Sequence, residues 1–160
     1  VRASGLYVTE PVGGPADQPD YINAVLEVRT SLDPYALLAL CQQVEAHHHR
    51  VRLVRWGPRT LDIDVITYDD LVSDDPALTL PHPRAHERAF VLVPWEQANP
   101  QAVIPSRDAA TGEQTRHLVA DLARRVRAAD ERAGVNAVRF MRDMNLPKNL
   151  FDSGAESEGV

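Results

Sequence analysis

The segment "RVRLVRWGPRTLDIDVITY", residues 50–68, constrains this chain more than any other. Its second half, "LDIDVITY", alternates apolar and polar residues with a period of two, the pattern of a half-covered strand. On a strand, Asp62 and Asp64 project from one face while Leu61, Ile63 and Val65 project from the other. The two carboxylates then stand roughly 6–7 Å apart at Cα by strand rise. Such a pair repels itself unless a cation lies between the two or each has a partner. The first half gathers Arg50, Arg52, Arg55 and Arg59 with no acid among them. Guanidinium forks bind phosphate oxygens bidentately. A hard ion such as Mg2+ takes carboxylate and phosphate oxygens together. The segment therefore describes a polyphosphate site. The same residues also admit a plainer arrangement, with both aspartates on a solvent face and each paired with a loop arginine.

A length of 160 residues suits one domain with a single core. With 44% apolar and 25% charged residues, the composition is that of an ordinary globular domain. The net charge of −6 argues against nucleic acid as a partner. No apolar run reaches membrane-spanning length, and "VRASGLYVTE" lacks the apolar core of a signal peptide, so a cytoplasmic protein is expected. A single cysteine, Cys41, excludes an internal disulfide framework. It falls in a helical pattern, and a buried structural thiol is expected there.

Along the chain, "GLYVTE" has strand chemistry, and "PVGGPADQPD" is a loop rich in turn residues. Residues 21–30, "YINAVLEVRT", alternate and predict a second strand. Ser31 or Asp33 can cap a helix with Pro34 at its first position. Residues 35–47 then carry Leu37, Leu38, Leu40, Cys41 and Val44 at helical spacing. "RAHERAFVLVPWEQA" predicts a helix that Pro94 kinks or interrupts. Residues 99–114 read as a proline-containing loop with one short strand at most. Residues 115–133 predict a helix with Leu118, Leu122 and Val126 on one stripe. One domain over residues 1–144 is expected, with a poorly ordered tail over 145–160. The order of strands and helices is an α+β pattern with a largely antiparallel sheet.

Other motifs carry less. Neither a phosphate-binding P-loop nor a dinucleotide fingerprint occurs. His47, His48 and His49 are consecutive, so they do not face one point and are expected to be exposed. His82 and His86 have a zinc-compatible spacing if helical, but Pro83 and the lack of a third ligand argue against it. Tyr21, Phe90 and Trp95 read singly as core residues. Trp56 lies in a polar loop between Arg55 and Gly57, where an exposed indole suggests ligand contact.

"RWGPRTLDIDVI" resembles the signature of the 6-hydroxymethyl-7,8-dihydropterin pyrophosphokinases of folate synthesis. Arg55, Gly57, Pro58, Arg59, Asp62, Asp64 and the pair Val65–Ile66 all match it. "DQPDYINAV", "QQVE" and "LTLPHPRAHERAFVLVP" resemble three further blocks of that family in the same order. The resemblance covers residues 4–100. It implies a ferredoxin-like sheet with helices packed on it. It also implies transfer of the pyrophosphoryl group of ATP to the hydroxymethyl oxygen of the dihydropterin, with release of AMP and service by two Mg2+ ions. Asp62 and Asp64 resemble the metal ligands, and Arg50 and Arg59 the cations of the catalytic centre. Tyr21 and Phe90 resemble the aromatic sandwich for the pterin and Asn23 its amide partner, with backbone contacts from Thr9 and Val12. Gln42, Glu45, Arg52, Trp56, Arg59, Thr79, His82 and Arg88 match positions on the ATP side, and Trp56 also borders the pterin. No side chain stands out as a dedicated base. The implied partners are ATP and the pterin, with no nucleic acid or membrane, for a monomer.

The resemblance is incomplete. The family opens with a strand, a Gly-Ser-Asn turn and a helix, on the order of 30–40 residues, before the strand that "LYVTEP" resembles. The sequence shows neither, so a sheet short of one strand is expected. Glu10 and Gly14 depart from the commonest pterin-loop residues, and nothing beyond Gln114 resembles a family motif. A truncated homologue without turnover, or a pterin- or nucleotide-binding module, is the alternative class.

Overall fold

The computed structural model describes residues 1–10, 19–48, 61–134 and 138–145. The predicted loop over 11–18, the arginine loop and the tail from 146 lie outside the described residues.

A bulged antiparallel ribbon opens the chain. β1 (Arg2–Ala3) pairs with β4 (Leu26–Glu27), and β2 (Leu6–Thr9) pairs with β3 (Tyr21–Asn23). Three residues separate Ala3 from Tyr7, but only two separate Asn23 from Leu26, their partners. One extra residue on the first strand is a β-bulge, which bends the ribbon and leaves a backbone group outside the ladder. Ser4 closes the gap on one side: its N–H donates to Val25 O and its hydroxyl accepts from Val25 N–H, both at 2.9 Å. The Gly5 N–H leaves the ladder and donates to Gln97 Oε1 at 2.7 Å. The strand predicted over 21–30 is therefore two short strands, broken opposite this bulge and ending at Glu27.

On the other edge of β2 lies β7 (Val138–Arg142), giving the order β3-β2-β7. Tyr7 and Phe140 face each other across that pair and meet edge to face at 5.5 Å. The sequence reading has no strand here, because "VRFMR" alternates over too few residues to stand out without its partner.

α1 (Pro34–His47) starts as expected. Asp33, not Ser31, is the cap, its carboxylate accepting from the N–H groups of Tyr35 and Ala36, and Pro34 occupies the first turn. A single 3-10 turn (Ala85–Glu87) precedes α2 (Ala89–Ala98). The predicted break at Pro94 is instead at Arg88, whose backbone is extended, and α2 runs through Pro94. A proline inside a helix costs about 3 kcal/mol. Val91 to Trp95 are all buried, and burying each large apolar side chain contributes roughly 1.5–3 kcal/mol. Burial wins, so the helix survives.

The helix predicted over 115–133 begins later. β5 (Val103–Arg107) and β6 (Gln114–Leu118) form a hairpin, and α3 (Val119–Ala133) follows directly. Asp108 sets the hairpin loop by accepting from the N–H groups of Ala110 and Thr111, and Gly112 takes the left-handed backbone the return requires. Pairing with β5 satisfies the 114–118 backbone and outweighs the helical periodicity. Gly134 ends α3 in the left-handed conformation. The core gathers Ala85, Val91, Leu92, Trp95, Ala102, Ile104, Val119 and Ala123, with α2 central and α3 packed on it. The architecture is α+β with antiparallel strand pairs throughout.

Candidate active site

Residues 61–68 have strand chemistry but join no strand ladder among the described residues. The alternation still decides exposure: Asp62 and Asp64 are exposed, whereas Leu61, Ile63 and Val65 are half-buried. Two bonds from elsewhere hold this backbone. The Ile63 N–H donates to Glu45 Oε1 at 2.7 Å, and Ile66 O accepts from the His82 N–H at 2.8 Å. The second bond brings the segment that follows Leu80 alongside the carboxylate segment.

His82 thereby enters the field of Asp64. Burial pushes its imidazole pKa down, the Asp64 charge opposes that, and Arg88 and Arg84 add to the fall. Its Nδ1 accepts from the Arg84 N–H at 3.2 Å, so in the neutral ring the proton sits on Nε2. Arg88, at the start of α2, also lays its guanidinium 5.4 Å from the centroid of the Phe90 ring. Its charge thus acts on His82 while its guanidinium rests near an aromatic ring. Phe90 itself is half-buried and rests against the core.

A second group of predicted residues lies on the β2–β3 pair. Thr9 stands opposite Tyr21 and Tyr7 opposite Asn23, so all four share one face. Asn23 Nδ2 donates to Thr9 Oγ1 at 2.7 Å. Thr9 is buried, Asn23 half-buried and Tyr21 exposed at the pair's end. α2 packs across β2 and β3. The same helix therefore carries Phe90 and borders the strands that carry Tyr21 and Asn23.

The remaining predicted residues divide. Gln42 is exposed on α1. Thr79 donates its hydroxyl to Asp75 O at 3.0 Å and shapes the turn before Leu80. Glu45, expected beside the nucleotide, is only 4% exposed. Its inward position has a signal in the sequence: Leu38, Cys41 and Glu45 recur at i, i+3 and i+7, on one helix face. The 3-10 turn leaves His86 off any helix shared with His82, so the zinc-compatible spacing is not realised. Val12, Arg50, Arg52, Trp56 and Arg59 lie outside the described residues.

No group of three metal-ligating side chains occurs among the described residues. The exposed pair Asp62 and Asp64 is nonetheless an all-oxygen donor set that suits Mg2+, which takes one or two carboxylates and completes its shell with phosphate and water. Two shallow depressions lie elsewhere. One lies beside Asp70, Pro105 and Arg116 at the β5–β6 hairpin, and the other beside Asp121, Arg124 and Arg125 on α3. Neither touches the carboxylate pair.

Fold and site together define an α+β protein with an exposed carboxylate pair, a histidine and arginine beside it, and an aromatic-and-amide sheet face nearby. The chain belongs to the 7,8-dihydro-6-hydroxymethylpterin-pyrophosphokinase family, which matches residues 1–100. It is 42% identical over 111 residues to the 2-amino-4-hydroxy-6-hydroxymethyldihydropteridine pyrophosphokinase of Haemophilus influenzae, covering 69% of each chain. It is 40% identical over 113 residues to the protein of the same name from Bacillus subtilis, covering 71% of this chain and 67% of that one. A folic acid synthesis protein of Schizosaccharomyces pombe is 32% identical over 153 residues, 96% of this chain and 21% of that one. This last match reaches beyond Gln114, where the sequence alone offers no motif.

Proposed function

We propose that this protein transfers the pyrophosphoryl group of ATP to the hydroxymethyl oxygen of 6-hydroxymethyl-7,8-dihydropterin, a step of folate biosynthesis. Family membership over residues 1–100 carries the reading. The exposed pair Asp62 and Asp64 beside His82 and Arg88 supports it.

The pterin lies against the face that carries Tyr21 and Asn23, with Phe90 as the opposing ring. The Asn23 amide, held by Thr9, pairs with the edge of the pterin, and the two rings exclude water from its faces. On the ATP side, Arg88 is a permanent cation for phosphate oxygens. Burial favours the neutral ring of His82, which offers its Nε2–H as a donor without adding charge. The family resemblance assigns Gln42, Thr79, Arg50, Arg52, Trp56 and Arg59 to the same ligand. Asp62 and Asp64 would hold the two Mg2+ ions the resemblance implies, which would supply charge neutralisation of the polyphosphate.

The hydroxymethyl oxygen attacks the β-phosphorus. The bond from that phosphorus to the α-phosphate oxygen breaks, AMP leaves with the electron pair, and the hydroxyl proton passes to solvent. Positioning and charge neutralisation suffice for such a transfer, which fits the lack of a dedicated base. We place this activity on one ferredoxin-like domain over residues 1–144, acting as a monomer in the cytoplasm. Calorimetric titration tests the two-ligand site. A non-hydrolysable ATP analogue with Mg2+ and the hydroxymethyl dihydropterin should bind together, one of each per chain. A protein that takes either ligand alone, but never both, is a binding module and not this enzyme.

A further inference from the structure

We propose that Glu45 is a positioning residue for the carboxylate pair, its buried side chain clamping the backbone between Asp62 and Asp64 from α1. This rests on the reading of those aspartates as the metal-holding pair.

Three observations carry it. Glu45 is the one residue of α1 that is fully buried, while the helix's apolar side chains are half-buried or exposed. A carboxylate is the least suitable group to bury unless hydrogen bonds hold it. It also sits in the last turn of α1, where the helix dipole disfavours negative charge. Its placement therefore does not serve the helix.

Glu45 bonds to the amide that lies between the two aspartates. Glu45 Oε1 accepts the Ile63 N–H at 2.7 Å. That N–H lies in the peptide plane joining Asp62 to Ile63, and Asp64 follows directly. Fixing this plane fixes the direction in which Asp62 leaves the backbone and, one residue on, that of Asp64.

The segment needs such a hold. Among the described residues, 61–68 join no ladder, and two hydrogen bonds from other segments reach their backbone. Glu45 at Ile63 and His82 at Ile66 bracket Asp64. A metal pair needs its ligands oriented before the ion arrives, and outer-shell bonds to ligating carboxylates are the usual means. Glu45 supplies this through the backbone.

The test uses the full-length protein and two variants. Glu45→Gln keeps an acceptor oxygen in place, and Glu45→Ala removes it. Three quantities are read: amide exchange at Ile63 by NMR, Mn2+ affinity by electron paramagnetic resonance with a non-hydrolysable ATP analogue, and analogue affinity with chelator present. Glu45→Ala should speed Ile63 exchange and weaken Mn2+ binding by about tenfold or more, the size of outer-shell effects on metal sites. Glu45→Gln should restore both largely, and metal-free analogue affinity should be the same in all three. Equal loss of metal-free analogue affinity in both variants would make Glu45 a nucleotide ligand and overturn the proposal. Unchanged Mn2+ affinity in Glu45→Ala, with only a lower melting temperature, would reduce it to a packing residue. Asp62→Asn and Asp64→Asn are measured alongside. If they bind Mn2+ as the wild type does, the metal reading itself fails, whatever Ile63 exchange shows.

Discussion

Asn23 Nδ2 donates to Thr9 Oγ1 at 2.7 Å, strand to strand, on the face that Tyr21 shares. The bond fixes which way the Asn23 amide points. An amide free to rotate must be ordered when a ligand binds, whereas this one is ordered beforehand. In the proposed pterin site, Thr9 would thus act through a side chain as well as through the backbone contact the family resemblance implies.

Thr9→Val keeps the shape and removes the acceptor. A hydrogen bond of this kind is worth about 0.5–1.5 kcal/mol, so pterin affinity should fall by roughly two- to tenfold. Affinity for the ATP analogue should not change. Titration of each ligand into the variant checks this, and an equal loss for both ligands would remove Thr9 and Asn23 from the pterin wall.

Asp62→Asn and Asp64→Asn each keep the side-chain size and remove a charge. Both aspartates are exposed, so no core contact is lost. Turnover should fall by about a hundredfold or more, the scale on which one preorganised electrostatic group acts, with an unchanged circular dichroism spectrum. Near wild-type turnover in either variant would contradict the role given to the pair.

Gly5 is required by closeness rather than by an unusual backbone angle. A Cβ there would lie 2.6 Å from the Phe140 ring edge and 2.8 Å from the carbonyl oxygen of Arg142. The ring can turn, but the backbone of β7 cannot easily move. Gly5→Ala should therefore destabilise the protein by about 1–3 kcal/mol, the usual cost of overpacking, and thermal unfolding reads it directly. A melting temperature equal to wild type would mean that β7 does not lie against the bulge.

These cases also show what the sequence makes legible. The Asp33–Pro34 start of α1 is local chemistry, and it was readable. So was the exposure of Asp62 and Asp64, because alternation needs no partner. Which segment 61–68 would pair with is not legible there, since a ladder depends on a second segment that periodicity cannot supply. The helix at 115–118 was misread for the same reason in reverse: β5 captures those residues. Pro94 was overweighted because the burial around it becomes visible only once α2 is seen at the centre of the core. Glu45 matches the ATP side by resemblance, and its burial and its bond to the Ile63 N–H become visible only in the fold.

Cys41 offers a test through pH. Burial pushes its thiol pKa up, and the negative charge of Glu45 one turn away adds to the rise. The folded protein therefore holds the proton that the unfolded chain releases. The stability this contributes is full below the ordinary thiol pKa and is lost as pH rises through the folded value. Alkylation by iodoacetamide, followed against pH with Cys41→Ser as the blank, should inflect above the value for free cysteine. Glu45→Gln should bring the inflection part of the way back. An inflection at or below the free-cysteine value would mean that this face of α1 is open to solvent.

The most direct measurement is phosphorus NMR of a single reaction mixture of full-length protein, MgATP and 6-hydroxymethyl-7,8-dihydropterin. The predicted result is AMP and a pterin diphosphate appearing in equal amounts, with ATP lost at the same rate, no ADP, and no reaction once the divalent ion is chelated. Formation of ADP with a pterin monophosphate, or of AMP with free pyrophosphate, or persistence of ATP beside a bound pterin, would contradict pyrophosphoryl transfer by this chain.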